Sequence, residues 1–154
     1  MGTQSITATS GEIATGTSLK TILQLLAPST CDLLIEEIYF SGKAAPSSTS
    51  HTAILWNIMV QSSAGTGGQA VTEVAWPGST SATDLGTALR GPTSTTWTAE
   101  PTAGNILISR ETPTTAPGYT WRGSLLVPAG TRIGITATSA NDVTAMAEFI
   151  YRRQ

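Results

Sequence analysis

The sequence alternates between short apolar runs and clusters of Gly, Pro, Ser and Asn, and no helical periodicity links one run to the next. Runs of this length, rich in β-branched and aromatic residues and bounded by turn residues, favour strands. Only residues 83–90 could form a short helical turn. Many short strands without intervening helices predict an all-β fold, an antiparallel β-sandwich of jelly-roll type with about eight strands. The predicted strands cover residues 19–26, 31–40, 53–61, 69–76, 105–112, 119–127, 132–139 and 143–152.

The composition supports strands and limits the classes of partner. The chain has 27 Thr and 16 Ser, whereas charged residues make up only 12%. Threonine is β-branched, and its stiff side chain fits a pleated sheet better than a helix. The net charge is −2, so the chain lacks the basic surface that neutralises phosphates, and we expect no nucleic-acid partner. No window has the length and apolarity of a membrane span, and we expect no membrane partner.

The first 18 residues differ in composition from the rest of the chain. Residues 1–18 are small and polar, without a charged start and continuous apolar stretch of the kind that marks a signal peptide. We predict that they form a flexible or extended arm that orders only against a partner. Residues 19–154 are then one β-sandwich domain, since no polar tract is long enough to separate two.

The residues that could carry chemistry are few and scattered, which predicts a protein that is not an enzyme. His51 is the single histidine, lies in a Ser/Thr-rich loop, and has no nucleophile motif to serve. Glu36 and Glu37 are adjacent, and neighbours on a regular strand point to opposite faces, so they should not flank one bond. Cys31 cannot form an intramolecular disulfide and suits a small buried thiol. We therefore predict no catalytic residues, no cofactor and no metal site.

The four tryptophans are the remaining candidates for binding. Trp56, Trp76 and Trp121 lie within strand patterns, where core or subunit packing is the commoner role. Trp97 lies in a Thr-rich loop, TSTTWTAEP, and is the residue that could stack on a ligand such as a sugar ring.

Both ends of the chain resemble a known class of protein. The segment SLKTILQLLAPSTCDLLIEEIYFSG (18–42) and the segment SLLVPAGTRIGITATSANDVTAMAEFIYRR (124–153) are similar to small virion proteins of tailed phages; the middle of the chain is not. The resemblance implies a capsid decoration, or cement, protein: a jelly-roll-like homotrimer, made in the host cytoplasm, that binds the major capsid protein on the outside of the phage head. No catalytic residues come with that family.

Two other functions remain open. A receptor-binding or sugar-binding head domain of a phage fibre or spike would use the same fold, with Trp97 and the hydroxyls of the loops around it as its binding surface; those hydroxyls belong to Thr80, Thr83, Thr95 and Thr96. An enzyme of cupin type would share the double sheet but needs several metal-binding histidines, and the chain has one.

Overall fold

A computed structural model describes residues 5–44, 52–75, 87–91 and 97–154. Every regular element in this part of the chain is a strand. The strands are β1 (Ile6–Thr9), β2 (Ile13–Ala14), β3 (Lys20–Leu26), β4 (Leu33–Ala44), β5 (Ala53–Gln61), β6 (Gln69–Ala70), β7 (Val74–Ala75), β8 (Thr87–Arg90), β9 (Ala103–Pro113), β10 (Tyr119–Val127), β11 (Arg132–Ser139) and β12 (Val143–Arg153). The all-β prediction is confirmed.

The strands form two antiparallel sheets. The first sheet has the order β10-β4-β12-β1-β7, with β2 also paired to β12, and the second has the order β6-β8-β3-β11-β5-β9. Side chains from both sheets meet in one hydrophobic core, where the ring of Phe40 stacks on Trp56 with 4.7 Å between centroids. Along β12 the buried residues alternate with half-buried ones, as expected for a strand with one face on the core. The arrangement is compatible with the predicted β-sandwich.

Residues 5–14 correct the prediction of a separate N-terminal arm. The segment is extended, but β1 lies between β12 and β7, and β2 pairs with β12. Ile6, Ala8 and Ile13 are completely or almost completely buried, so the segment orders against its own chain rather than against a partner. The alternation of Ile6 and Ala8 with threonines is a strand pattern, but it is too short and weakly apolar to stand out in the sequence.

The segment predicted as one strand over residues 69–76 is two short strands in different sheets. Ala70 of β6 pairs with Leu89 in the second sheet, whereas Val74 of β7 pairs with Thr7 in the first. Between them the chain passes from one sheet to the other, which a single straight strand cannot do. Residues 87–90, considered for a helical turn, form β8 instead; residues 83–86 lie outside the described part of the chain.

Strand β4 continues beyond residue 40, into the segment predicted as a loop. Gly42 makes this possible because the core side of the strand has no space for a side chain there: Ile54 and Trp56 occupy the position that a Cβ would take. The strand therefore stays paired to β12 as far as Ala44. The other predicted strands, over residues 19–26, 53–61, 105–112, 119–127, 132–139 and 143–152, are confirmed with shifts of a few residues at their ends.

Candidate functional site

The adjacent carboxylates Glu36 and Glu37 lie on the same side of the first sheet, which corrects the expectation that they point to opposite faces. Ile35 and Ile38 are both buried in the core, because a β-bulge between them adds one residue to β4. Both glutamates are therefore turned away from the core. Each is held by an arginine: Arg122 Nε lies 2.7 Å from Glu37 and Arg152 Nε lies 3.2 Å from Glu36. The arrangement is a set of surface ion pairs.

The other candidates for chemistry do not converge. Within the described residues, no group of three or more His, Cys, Asp or Glu side chains could hold a metal ion. His51 lies outside the described part of the chain. Cys31 is a free thiol and is half-buried rather than buried as predicted. The described ranges of the chain contain no helix that could span a membrane.

Trp97 is buried, with 4% of its surface exposed, although the sequence places it in a polar loop. Its indole N–H donates a hydrogen bond of 3.0 Å to the backbone oxygen of Thr21. One face of the ring is covered by Gly68, where a Cβ would collide with it. A ring enclosed in this way has no free face for a sugar, so the proposed stacking role of Trp97 is wrong. The residue anchors its loop to β3.

The other tryptophans agree with the packing prediction where they can be assessed. Trp56 is 1% exposed and lies in the core, and its indole N–H donates to Thr112 Oγ1 at 2.8 Å. Trp121 is partly buried and packs against the core from β10. Trp76 lies outside the described residues, as do Thr80, Thr83, Thr95 and Thr96.

Two ionisable side chains, Glu100 and Lys20, lie at the start of β3. Glu100 accepts a hydrogen bond of 2.9 Å from the backbone N–H of Thr21, and burial raises the pKa of this carboxyl. Lys20 is almost fully buried, its ammonium donates to the backbone oxygen of Ala14 at 2.7 Å, and burial lowers its pKa. Loss of water around both groups causes these pKa shifts. It outweighs the hydrogen bond from Thr21, which lowers the pKa of Glu100, and the negative charge of Glu100, which raises the pKa of Lys20.

The most unusual surface is formed by two edge strands, β10 of the first sheet and β9 of the second. We call this surface the open side. Nine of the eleven residues of β9 are exposed and none is buried. Ile106 is 56% exposed and Leu107 44%, and on β10 Leu126 is 51% exposed. Near the connection between β9 and β10, the Arg110 guanidinium lies 5.7 Å from the ring centroid of Tyr119, which links the two strands.

The core is incompletely covered along the open side. Four side chains that pack against the core are only partly buried there: Ile108 on β9, and Tyr119, Trp121 and Leu125 on β10. A half-buried strand in a monomer normally hides every second side chain, so an eleven-residue strand that hides none lacks the burial that usually stabilises it. The sequence contained a signal for this surface: residues 106–108 are three consecutive apolar residues, which suit a strand covered on both faces.

Comparisons with known proteins identify no relative: no protein-family model, no curated protein and no solved structure matches the chain.

Proposed function

We propose that this protein is a non-enzymatic structural protein of a phage virion that binds the outside of the capsid and stabilises it as a decoration protein. Its partners in this proposal are the major capsid protein and further copies of the chain in a homotrimer. The observation that carries the proposal is the open side, an apolar surface on a sandwich whose other edges are covered by its own short strands.

The order of the strands supports a jelly roll as the fold of this proposal. Eight strands pair as one long hairpin whose two arms are rolled up together. The nested pairs are β1 with β12, β3 with β11, β4 with β10, and β5 with β9. The roll is completed where β12 meets β4 and β11 meets β5. Nested pairs divided between two sheets in this way are the arrangement of a jelly roll, a common fold of viral capsid domains.

The remaining short strands lie opposite the open side. In the second sheet β8 pairs with β3, and β6 pairs with β8; in the first sheet β7 pairs with β1. The excursion between β5 and β9 therefore covers the edges that β1 and β3 would otherwise leave free. Free edges invite association with other chains, and proteins normally cover them. Only the side formed by β9 and β10 is left for a neighbour within the described structure.

Covering the open side would stabilise an assembly by burying its exposed apolar side chains. Each large apolar side chain on it is about half exposed, and burying that half contributes about 1 kcal/mol. A partner that binds only the assembled capsid shifts the equilibrium toward the capsid, and the effect grows when several copies bind together.

The proposal is tested by placing a charge on the open side. Leu107→Glu puts a carboxylate on the surface that would be buried, and Val74→Glu is the matched control, since Val74 is 52% exposed on β7 at the opposite edge of the first sheet. We expect light scattering to give a trimer mass for the unchanged protein and for Val74→Glu, and a smaller mass for Leu107→Glu. A monomer in all three cases would contradict the homotrimer and this role of the open side.

The sugar-binding head domain has less support than the decoration role. Its stacking residue, Trp97, is buried beneath Gly68, and the four threonines that were to accompany it lie outside the described residues. A fibre head that used this loop would need an exposed aromatic ring there.

A further inference from the structure

Two of the chain's cations have no hydrogen-bond or ion-pair partner among the residues that the structure describes, and one of the two is half-buried. The chain has eight Lys and Arg residues, all within the described ranges. Five donate to a carboxylate, a backbone oxygen or a phenol oxygen: Lys20, Lys43, Arg90, Arg110 and Arg122. Arg152 forms an ion pair with Glu36, with 3.2 Å between Nε and Oε1. The side chains of Arg132 and Arg153 have no such contact with any described residue. Arg153 is exposed near the end of the chain, whereas Arg132 is half-buried.

Arg132 lines an open cleft of about 670 Å³ at one end of the second sheet. Its neighbours Ile133 and Ile135 alternate with it on β11 and are buried near the core, so Arg132 lies on the opposite, outer face. Arg132 pairs across strands with Leu26 on β3, and Leu26 pairs with Thr87 on β8. The walls are the connection from β3 to β4 and the turn before β11. The lining consists of Leu26, Ala27, Pro28, Ser29, Thr30, Thr87, Gly130 and Arg132.

The two walls are tied to each other, so the cleft is formed in advance of any ligand. Asp32, in the first wall, accepts a hydrogen bond of 2.8 Å from the backbone N–H of Ala129 in the second. Gly130 has a φ of 72° and donates its N–H to the backbone oxygen of Pro28 at 3.1 Å. The only carboxylate of the first wall is therefore occupied by backbone and does not neutralise Arg132.

The groups in the cleft match an acidic sugar. A guanidinium presents a fork of N–H donors that fits a carboxylate with two parallel hydrogen bonds. The hydroxyls of Ser29, Thr30 and Thr87 can donate to and accept from ring hydroxyls, while Leu26 and Pro28 offer an apolar strip for the ring's C–H groups. We infer that this cleft binds a sugar that carries a carboxylate, such as a hexuronic or sialic acid, through Arg132.

The lining favours a sugar acid over other anions. A phosphate dianion is usually held by several cations or by a row of backbone N–H groups, and this cleft has one cation. A lone acidic side chain of a protein partner would leave most of the 670 Å³ and the three hydroxyls unused. The site does not involve the open side and does not depend on the decoration role.

The experiment compares two probes that differ only at C6. Methyl galacturonoside carries a carboxylate there and methyl galactoside a CH₂OH group. Each is titrated into the full-length protein and followed by ¹⁵N chemical shifts. We expect the galacturonoside to bind with a millimolar Kd, about tenfold tighter than the galactoside, and to shift the amides of residues 26–30 and 130–132.

Two variants that each remove one positive charge test whether Arg132 is the residue that binds the carboxylate. Arg132→Gln should weaken binding of the galacturonoside about tenfold or more, while Arg153→Gln should leave it within about twofold. Unchanged thermal unfolding of both variants will show that they are folded. Equal affinity for the two probes, no binding of either, or an equal loss in both variants would overturn the inference. Acetate or inorganic phosphate binding as tightly as the galacturonoside would also overturn it, by showing a simple anion site. None of these results bears on whether the protein binds capsids.

Discussion

Gly134→Ala should destabilise the protein because it removes a buried network of amide hydrogen bonds. On the outer face of the second sheet, Gln24 Nε2 donates to Gln61 Oε1 at 2.6 Å and Gln61 Nε2 donates to Thr21 Oγ1 at 3.0 Å. All three side chains are almost fully buried. A Cβ on Gly134 would occupy the place of the Gln61 amide, so alanine can be accommodated only if that amide moves away.

The cost follows from what the displaced amide leaves behind. Two hydrogen bonds are lost at about 1 kcal/mol each. The Thr21 hydroxyl and one N–H of Gln24, whose amide nitrogen keeps its hydrogen bond to the Ser63 backbone oxygen, add about 2 kcal/mol of uncompensated desolvation. Replacing glycine with alanine returns up to about 1 kcal/mol by restricting the unfolded chain. We therefore expect Gly134→Ala to lower the free energy of unfolding by about 3 kcal/mol.

A double-mutant cycle measured by urea unfolding, with tryptophan fluorescence as the signal, tests the cause. In a Gln61→Ala background the space beside Gly134 is already empty, so Gly134→Ala should there be neutral or slightly stabilising. The coupling between the two changes should then be about 3 kcal/mol. If Gly134→Ala costs the same in both backgrounds, the collision with Gln61 is not the reason for its effect.

Three further predictions concern stability. Tyr151→Phe should leave stability unchanged or raise it by about 1 kcal/mol, because the buried Tyr151 hydroxyl has no hydrogen-bond partner in the described part of the chain. A loss of more than about 1 kcal/mol in urea unfolding would contradict this. Trp97→Ala should lower the free energy of unfolding by about 3 to 5 kcal/mol, measured by urea unfolding, because it removes a buried ring. A value near zero, as for an exposed ligand-stacking residue, would contradict this. Burial raises the pKa of Glu73, Glu100 and Glu148 above the ordinary value of 4.5, so their contribution to stability is fully present below that pH and is lost as the pH rises through their folded-state pKa values. Replacing all three with glutamine should flatten the dependence of unfolding free energy on pH over that window, and an unchanged slope would refute the assignment.

The long strands could be predicted from sequence because the residues that define each one are neighbours in the chain. In β5 and β11, for example, strand-forming residues fill the run and Gly, Pro or Ser bound it, so length and composition suffice. The division of residues 69–76 between two sheets could not be predicted, since it depends on partners that are distant in the chain.

The errors at single residues have the same origin. Trp97 looks like a surface residue among threonines, and only the approach of Gly68 and the backbone of Thr21 buries it. Glu36 and Glu37 share one face because of a bulge, which has no signature in the pair itself. Nothing in the sequence around Arg132 marks it as a binding residue. Only the structure shows that it is half-buried in a cleft and has no ion-pair partner among the described residues.

Co-sedimentation of the intact protein with undecorated phage heads is the central test of the proposed role. We expect the protein to pellet with heads and its binding to saturate, and we expect Leu107→Glu, but not Val74→Glu, to weaken that binding. A protein that remains in the supernatant at every concentration, with heads that are otherwise competent to assemble, would contradict that role.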